Sequence, residues 1–337
     1  MTVRITRSTR VHDGSEVAGA RRIAAECAES ANLSATLAGR VALVTTELAT
    51  NLVKHTDGGT ILFGTDDDNA RAMTITSIDK GRGITNVAAA MRDGYSTAGS
   101  PGTGLGAVHR AALVVEMYTL AGRGTVLHCV VGDETPAPSP LVPRPRYTFA
   151  GIAIPKTGET ANGDAWNAVA SGDTLTIGVA DGLGHGPLAA SASIAAARVF
   201  ATSSDKPLER MMEDVHGALR ATRGAAVGIM RIHGALGRAD FLGVGNIAGT
   251  IVRDDGARKV VSLPGIAGHE MRKLQSFSYP WDASSVVVLQ SDGVSASWSA
   301  TNYPGLMQHE PAVIAAVLYR DHCRGTDDAT VVVAKAF

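Results

Sequence analysis

The sequence predicts two mixed domains in one chain: an α+β domain first, then a sandwich of β-sheets covered by helices. A length of 337 residues is sufficient for two domains. The segment "DETPAPSPLVPRPR" at 133–146 carries five prolines, which lack backbone donors and favour an extended spacer. The two flanking halves also differ in pattern, because helices and strands are mixed in the first whereas strands predominate in the second. We therefore predict domains at 1–133 and 147–337, with a linker at 134–146.

The composition narrows the class of protein. The chain is 45% apolar with a formal net charge of −1, so it has no electrostatic footprint for nucleic acid or for an anionic membrane. The three cysteines lie far apart and form no metal-binding or redox motif. The first residues lack a signal-peptide core, and no apolar run approaches the roughly 20 residues needed to span a bilayer. These features predict a soluble, cytoplasmic protein with neither nucleic-acid nor membrane partners.

The first half alternates between strand and helix patterns. Val41, Val44, Leu48 and Leu52 recur at the spacing of one helix face. The "GRGT" segment at 122–125 is typical of a hairpin turn. Helices on one face of a mainly antiparallel sheet make an α+β domain. The predicted elements are a strand at 2–9, helices at 15–31 and 34–55, strands at 59–65 and 71–79, a helix at 103–116 and a hairpin through 130.

The second half is dominated by short apolar strands with few helices, which indicates two packed sheets covered by helices. Helices are predicted at 187–202, 206–222 and 310–322. Strands are predicted at about 147–154, 164–170, 174–180, 225–233, 238–245, 247–253, 259–262, 273–279, 285–290 and 329–334.

Three segments of the first half carry candidate nucleotide-binding residues. In "TTELATNLVKH", Glu47 and Asn51 stand four apart and project from one helix face, where they can serve as general base and Mg²⁺ ligand or simply as a solvated pair. In "SIDKGRGI", Asp79 ends a strand and can accept the amine of adenine, with Gly81 and Gly83 allowing close approach, although a plain turn has the same pattern.

The third segment, "GTGLGA", places Gly102, Gly104 and Gly106 directly before a helix, whose N-terminus offers free N–H groups to phosphates. It is not a Walker loop, because no Gly-Lys-Ser/Thr follows.

Together, "TELATN", "DKGRGI" and "GTGLGA" resemble the N, G1 and G2 boxes of the GHKL (Bergerat-type) ATP-binding fold over the whole first domain. The resemblance implies Glu47 as catalytic base and Asn51 on Mg²⁺. It also implies an ATP-binding set of Asn51, Asp79, Gly81, Gly83, Gly102, Thr103, Gly104, Leu105, Gly106 and Thr125, although Thr125 can equally be a hairpin residue. Within the family the segment is most similar to the RsbT and RsbW serine kinases, whose substrates are STAS-domain proteins.

In the second half, acidic side chains stand at the ends of predicted strands. Asp181 follows "TLTIGVA", Asp292 follows "VVVLQS", Asp327 and Asp328 precede "ATVVVAKA", and Asp164 begins another strand. Each alone is more typical of a turn or cap. In combination they suit hard cations, and a pair of such cations can catalyse phosphate hydrolysis.

The series "GD…VADGLGHG…QSDG…TDDATVVV" resembles the SpoIIE and RsbX branch of the PP2C-type phosphatases over about 147–337. That resemblance implies an α/β/β/α sandwich with two Mn²⁺ or Mg²⁺ ions. Asp181 would be the central catalytic ligand bridging both ions, and the Gly182 carbonyl would act through water. Asp164 would hold one ion and Asp292 and Asp327 the other, with Asp328 ranked behind Asp327.

Two further residues of this half have open roles. His185 could donate to the leaving group, could act from outside the ligand set or could be structural. Asn246 is expected to be a turn residue. No arginine matches the phosphate-binding arginine of the eukaryotic enzymes, so phosphate recognition is left to the metals.

The sequence therefore predicts a bifunctional partner-switching regulator, with an ATP–Mg²⁺-dependent serine/threonine kinase and a metal-dependent phosphatase. The expected partners are STAS-domain proteins of the RsbS/RsbR or anti-anti-sigma type, with a sigma factor or a partner phosphatase as further possibilities. One alternative is a nucleotide-binding module that sequesters a partner without phosphotransfer, fused to an active phosphatase. A second is a phosphatase scaffold without activity.

Overall fold

The structure, a computed structural model, describes residues 2–67, 69–87, 104–133, 146–271 and 273–337. The chain forms two compact units, Met1–Val142 with Gln308–Arg320, and Pro143–Met307 with Asp321–Phe337. Residues 308–320, which the sequence assigns to the second domain, thus cluster with the first unit. The linker predicted at 134–146 lies outside the described residues except for Arg146, and its domain boundaries stay a prediction.

The first unit contains a five-stranded sheet in the order β1-β2-β3-β5-β4, and each neighbouring pair is antiparallel. Its strands are β1 (Thr2–Val11), β2 (Gly59–Asp66), β3 (Asn69–Asp79), β4 (Val114–Leu120) and β5 (Gly124–Gly132). Its helices are α1 (Gly14–Ser30), α2 (Ala35–His55) and α3 (Gly104–Ala111).

The core of this unit lies between the helices and one face of the sheet. Val41, Val44, Leu48 and Leu52 of α2 are all buried, as their spacing predicts, and pack with apolar residues of β2, β3 and β5. Asp13 caps the N-terminus of α1, and its carboxylate accepts from the N–H groups of Ser15 and Glu16 in a capping box. The predicted α+β layout of the first domain is confirmed.

One predicted element of this unit is wrong. The helix predicted at 103–116 ends at Ala111 as α3, and Val114–Leu120 forms β4 instead. Alanine and leucine in this segment favour a helix, but Val114 and Val115 are β-branched and the segment pairs with β5 along its whole length. Long-range pairing therefore outweighs local propensity here.

The second unit contains two antiparallel sheets, ordered β12-β11-β14-β15-β6 and β13-β10-β9-β8-β7. The first sheet consists of β6 (Tyr147–Ile154), β11 (Ala248–Arg253), β12 (Gly256–Lys259), β14 (Val286–Gln290) and β15 (Ala329–Ala336). The second consists of β7 (Asp164–Ser171), β8 (Thr174–Gly182), β9 (Ala225–His233), β10 (Arg238–Val244) and β13 (Phe277–Pro280).

The main core of this unit lies between the two sheets, where side chains of β6, β14 and β15 meet those of β7 to β10. Helices α4 (Pro187–Thr202) and α5 (Leu208–Leu219) cover the other face of β8, β9 and β10. The predicted sandwich of two packed sheets covered by helices is confirmed. The last helix, α6 (Pro311–His322), lies close to its predicted bounds of 310–322.

Two strands of the second unit are displaced from their predicted positions. The strand predicted at 259–262 is β12, Gly256–Lys259, and the one predicted at 273–279 is β13, Phe277–Pro280. Both are short, and β12 is fully exposed, so the burial pattern that locates longer strands is absent from it. Among the described residues, no helix combines the length and the apolar character needed to cross a membrane.

Candidate active sites

Glu47 and Asn51 are partly buried and lie on one flank of the buried stripe of α2. The first residue of α3, Gly104, stands directly against them. A Cβ at Gly104 would lie 3.0 Å from Glu47 Oε2 and 3.8 Å from Asn51 Oδ1. The structure therefore brings together a carboxylate, an amide oxygen and the N-terminal end of a helix, which is the end that attracts anions.

Asp79 lies at the end of β3 and is buried. Burial raises the pKa of its carboxyl group, while the N–H groups of Gly81 and Thr125 and the charge of Arg320 oppose that rise. The Gly81 N–H bond measures 2.8 Å. Gly124 packs on the backbone of Asp79, since a Cβ there would lie 2.0 Å from its carbonyl oxygen. An acceptor held in this way is suited to the exocyclic amine of a base.

The glycine turn after β3 is fixed by β4. Gly83 has a φ of +74°, and a Cβ there would lie 2.3 Å from the Leu120 carbonyl oxygen. The hydroxyl of Thr119 accepts from the Ile84 N–H at 2.8 Å and lies 3.0 Å from the hydroxyl of Thr125. Thr119 links the turn to Thr125, and sequence reasoning missed it because its partners are remote in sequence.

The other residues predicted to surround the nucleotide phosphates belong to the glycine segment before α3. Leu105 is partly buried and Gly106 is buried. Gly102 and Thr103 lie outside the described residues.

The second site is built on two neighbouring strands. Asp164 at the start of β7 and Asp181 near the end of β8 are register partners. The Ser291 hydroxyl donates to Asp164 Oδ2 at 2.6 Å and itself accepts from the Thr330 N–H at 3.0 Å. The other carboxylate oxygen of Asp164 is buried and has no hydrogen-bond partner in the structure. A buried carboxylate oxygen without a protein partner can serve as a ligand for a cation.

The charges of the site repel one another. The pKa of Asp181 is raised strongly, first by burial and then by the charges of Asp164, Asp292, Asp327 and Asp328. Burial likewise raises the pKa of Asp164. Like charges gathered in a poorly solvated place favour protonation unless a cation neutralises them.

Hydrogen bonds hold the remaining carboxylates in place. Asp292 Oδ2 accepts from the Asn246 side-chain amide at 2.8 Å. Asp327 Oδ1 accepts from the N–H of Asp328 at 2.9 Å. The two carboxylate oxygens of Asp328 accept from the N–H groups of Lys156 and Gly163, at 2.8 and 3.0 Å. These bonds make Asp328 an anchor of the loop before β7.

Gly182 allows helix α4 to approach the end of β8. A Cβ there would lie 2.2 Å from the carbonyl oxygen of Ala189 and 2.8 Å from its carbonyl carbon, so no other residue fits without a backbone shift. The Gly182 N–H donates to the Gly163 carbonyl at 3.0 Å. The glycine thus joins the loop of Asp164 to the strand of Asp181.

Several polar residues around this site were missed or left open by sequence reasoning. His185 Nδ1 lies 2.7 Å from Glu159 Oε1, so the histidine has a carboxylate partner. Asn246 stands in the turn between β10 and β11 as predicted, yet its side chain also binds Asp292. Arg223 Nη1 lies 3.1 Å from where a Cβ of Gly184 would stand, beside the loop that follows Asp181. Only Ser291 and Asn246 had a local signal, since both adjoin small residues at strand ends.

The donors of this site suit a hard divalent cation, because they are carboxylate oxygens and one of them is buried without a partner. Within the described part of the chain, no three acidic, histidine or cysteine side chains already converge as ligands do around an ion. We regard the residues as fitting Mg²⁺ or Mn²⁺.

The first unit thus holds an acid–amide pair beside a helix N-terminus, and the second holds acidic residues at strand ends of a sheet sandwich. Residues 12–131 match the family model of the histidine kinase-like ATPase domain, and residues 171–337 match that of stage II sporulation protein E (SpoIIE). The chain therefore joins a histidine kinase-like ATPase domain to a SpoIIE-type domain.

Known proteins resemble each part separately. The serine/threonine-protein kinase RsbT of Bacillus subtilis (strain 168) is 27% identical over 116 residues, 34% of this chain and 87% of RsbT. The phosphoserine phosphatase RsbX of the same strain is 25% identical over 156 residues, 46% of this chain and 74% of RsbX. A crystal structure of RsbX in complex with magnesium covers 58% of this chain and 98% of that chain, with a TM-score of 0.50 and 20% sequence identity.

Proposed function

We propose that this chain is a bifunctional partner-switching regulator, which adds phosphate to serine or threonine residues of STAS-domain proteins and removes it again. The proposed kinase lies in the first unit and the proposed phosphatase in the second. Both would act in the cytoplasm, where ATP is available.

The observation that carries the phosphatase proposal is the orphaned oxygen of Asp164 among five acidic residues. Asp164, Asp181, Asp292 and Asp327 would hold two divalent cations, and the Gly182 carbonyl would contribute through water. Bound cations would supply the positive charge that binds a phosphoryl group and activates the attacking water. RsbX, solved with magnesium, is a phosphoserine phosphatase, which supports this metal and substrate class.

The protein's own residues prepare that site. Ser291 keeps one oxygen of Asp164 occupied and so leaves the other for a cation, and Asn246 does the same for Asp292. Asp328 and Gly182 fix the loop at Gly163. His185, oriented by Glu159, would hold a proton for the leaving serine oxygen at the rim.

The kinase proposal depends on Glu47, Asn51 and Asp79. Glu47 would accept the proton of the substrate hydroxyl, and Asn51 would hold the Mg²⁺ that accompanies ATP. Asp79 would accept the adenine amine, while Gly81, Gly83 and Gly104 let the nucleotide approach the backbone. The similarity to RsbT, a serine/threonine-protein kinase, supports the reaction.

The decisive experiment is to incubate the full chain with each STAS-domain protein of the same cell and to follow phosphate transfer from labelled ATP and its later release. We expect transfer with Mg²⁺–ATP and release with Mn²⁺ or Mg²⁺. Binding of ATP without transfer to any partner would favour the nucleotide-binding sequestering module, and a failure of all tested metals to support release would favour an inactive scaffold.

A further inference from the structure

Residues 308–320 follow residues 143–307 of the second unit along the chain, yet in the structure they belong to the first unit. The start of this segment is attached to β4. His309 Nδ1 lies 2.7 Å from Glu116 Oε1, and the Glu310 N–H donates to the same oxygen at 3.1 Å. The His309 ring also meets Tyr118 edge-on, with 5.4 Å between ring centroids. These contacts anchor the N-terminal end of α6.

The other end of the segment reaches the nucleotide site. Arg320, in the last turn of α6, is only 5% exposed. Its Nη1 donates to the backbone carbonyl oxygen of Asp79 at 3.3 Å. That carbonyl also has Gly124 packed against it. A buried guanidinium is costly unless polar groups surround it, so its position beside this carbonyl is well defined.

Asp79 is the residue whose carboxylate is proposed to bind adenine. The carbonyl and the carboxylate belong to one residue, so a change in the position of the carbonyl also moves the carboxylate. The chain passes from the first unit to the second directly after Arg320, and the proposed metal ligand Asp327 follows a short way along the chain, in the second unit.

We propose that Arg320 is a positioning residue of the nucleotide site, and that through it nucleotide binding regulates the phosphatase. The inference rests on the proposed function, since it requires that the first unit binds ATP. Arg320 would set the position of Asp79, and binding of adenine at Asp79 would alter the C-terminal end of α6 and the residues that lead to Asp327. By linkage, metal binding in the second unit would alter nucleotide affinity by the same factor.

The positioning role is tested with Arg320→Gln and Arg320→Lys in the full chain. We expect Arg320→Gln to weaken binding of adenosine and of the non-hydrolysable analogue AMP-PNP with Mg²⁺ by the same factor, at least fivefold, with partial rescue in Arg320→Lys. His309→Gln is the matched control, because it loosens the other end of the segment without touching Asp79, and its affinities should stay within twofold of wild type.

An equal loss of affinity for adenosine and for AMP-PNP indicates that the defect lies at the adenine end of the site. Thermal unfolding shows independently whether the variant is folded. If Arg320→Gln binds both ligands as wild type does, the positioning role is wrong. If Arg320→Gln does not fold, Arg320→Lys decides by the same criterion.

The regulatory role is tested by hydrolysis of p-nitrophenyl phosphate with Mn²⁺, with and without saturating AMP-PNP. We expect at least a twofold change in kcat in the wild type and in His309→Gln, and none in Arg320→Gln. A wild type that binds AMP-PNP without any change in hydrolysis overturns the regulation alone. A wild type that binds no nucleotide overturns the proposed function of the first unit, and the inference with it.

Discussion

Ser291 and Asp164 illustrate how single residues prepare the second site. The Ser291 hydroxyl occupies one oxygen of a buried carboxylate and leaves the other without a protein partner. We expect Ser291→Ala to weaken Mn²⁺ binding by about tenfold, because partners that orient a ligand typically contribute that much or more. Isothermal titration measures it, with Ser295→Ala as control, whose hydroxyl is exposed and bonds only Ser297 among the described residues. An unchanged affinity in Ser291→Ala would contradict the role.

Asp181 is repelled by the charges of the four neighbouring aspartates. Asp181→Asn removes one negative charge from a cluster that already disfavours ionisation. In the presence of a chelator at pH 8, we expect the free energy of unfolding of the variant to exceed that of wild type by about 1–3 kcal/mol. In the presence of Mn²⁺, we expect its phosphatase activity to be at least 100-fold lower than that of wild type. Urea unfolding and hydrolysis of p-nitrophenyl phosphate measure the two effects. Loss of stability in the metal-free variant would show that repulsion does not dominate.

At this scale the sequence predicted the acids but not their partners. Asp181 and Asp292 could be found because each follows an apolar strand and precedes glycine. Arg320 and Thr119 could not, since their roles depend on residues brought near only by the fold. Spacing along the chain carries no information about such contacts.

At the scale of elements, β8 and α4 meet at a glycine. Gly182→Ala would place a methyl group on the Ala189 backbone, and we expect a loss of roughly 2–4 kcal/mol in the free energy of unfolding. Gly19→Ala is the matched control, since it lies inside α1 with nothing within 4 Å of its added Cβ, and should gain roughly 0.5–1 kcal/mol. Chemical denaturation compares them, and a neutral Gly182→Ala would mean that α4 can shift.

Strand β5 carries a buried histidine that makes the first unit sensitive to acid. Burial lowers the pKa of His128 to about 4, with the charge of Glu116 opposing the shift, and its Nδ1 lies 2.7 Å from the Thr76 hydroxyl. The unfolded chain takes up a proton near pH 6.5 whereas the folded chain does not, so stability falls as pH drops from 6.5 to 4. The loss amounts to up to about 3 kcal/mol.

The measurement is urea unfolding across that pH range for wild type and His128→Gln. We expect the variant to lose less stability than wild type as the pH falls. Parallel pH profiles would show that His128 is not the responsible group. Burial acts to raise the pKa of Glu116, but His309 and the Glu310 N–H lower it overall. Wild type and variant should therefore both lose further stability at lower pH, where Glu116 takes up a proton.

The sequence predicted helices and strands correctly where the alternation of buried and exposed residues extends over many residues. The stripe of α2 and the apolar strands of the sandwich fall where their periodicity indicates. Residues 114–116, the first part of β4, were mistaken for helix because pairing with β5, and not their own composition, decides their conformation. The predicted positions of β12 and β13 were wrong for a different reason, because strands of only four residues give too short a burial pattern to locate.

At the scale of the whole molecule, two proposed active sites in one chain predict separable defects. Glu47→Gln should abolish phosphate transfer to a STAS-domain protein while leaving hydrolysis of p-nitrophenyl phosphate within twofold of wild type. Asp292→Asn should do the reverse. Phosphate incorporation and release, measured for both variants, test this. A variant that loses both activities while remaining folded would show that the sites are not chemically independent.

The clustering of residues 308–320 with the first unit also bears on how the protein is made. A ribosome delivers residues 1–142 early, but their helix α6 emerges only after the whole of 143–307. The first unit therefore lacks α6 during most of synthesis. Until then Glu116 cannot bond His309, and the Asp79 carbonyl cannot accept from Arg320. A chain released early would lack this segment, so nascent chains cut before residue 308 should be more readily degraded than their length alone suggests.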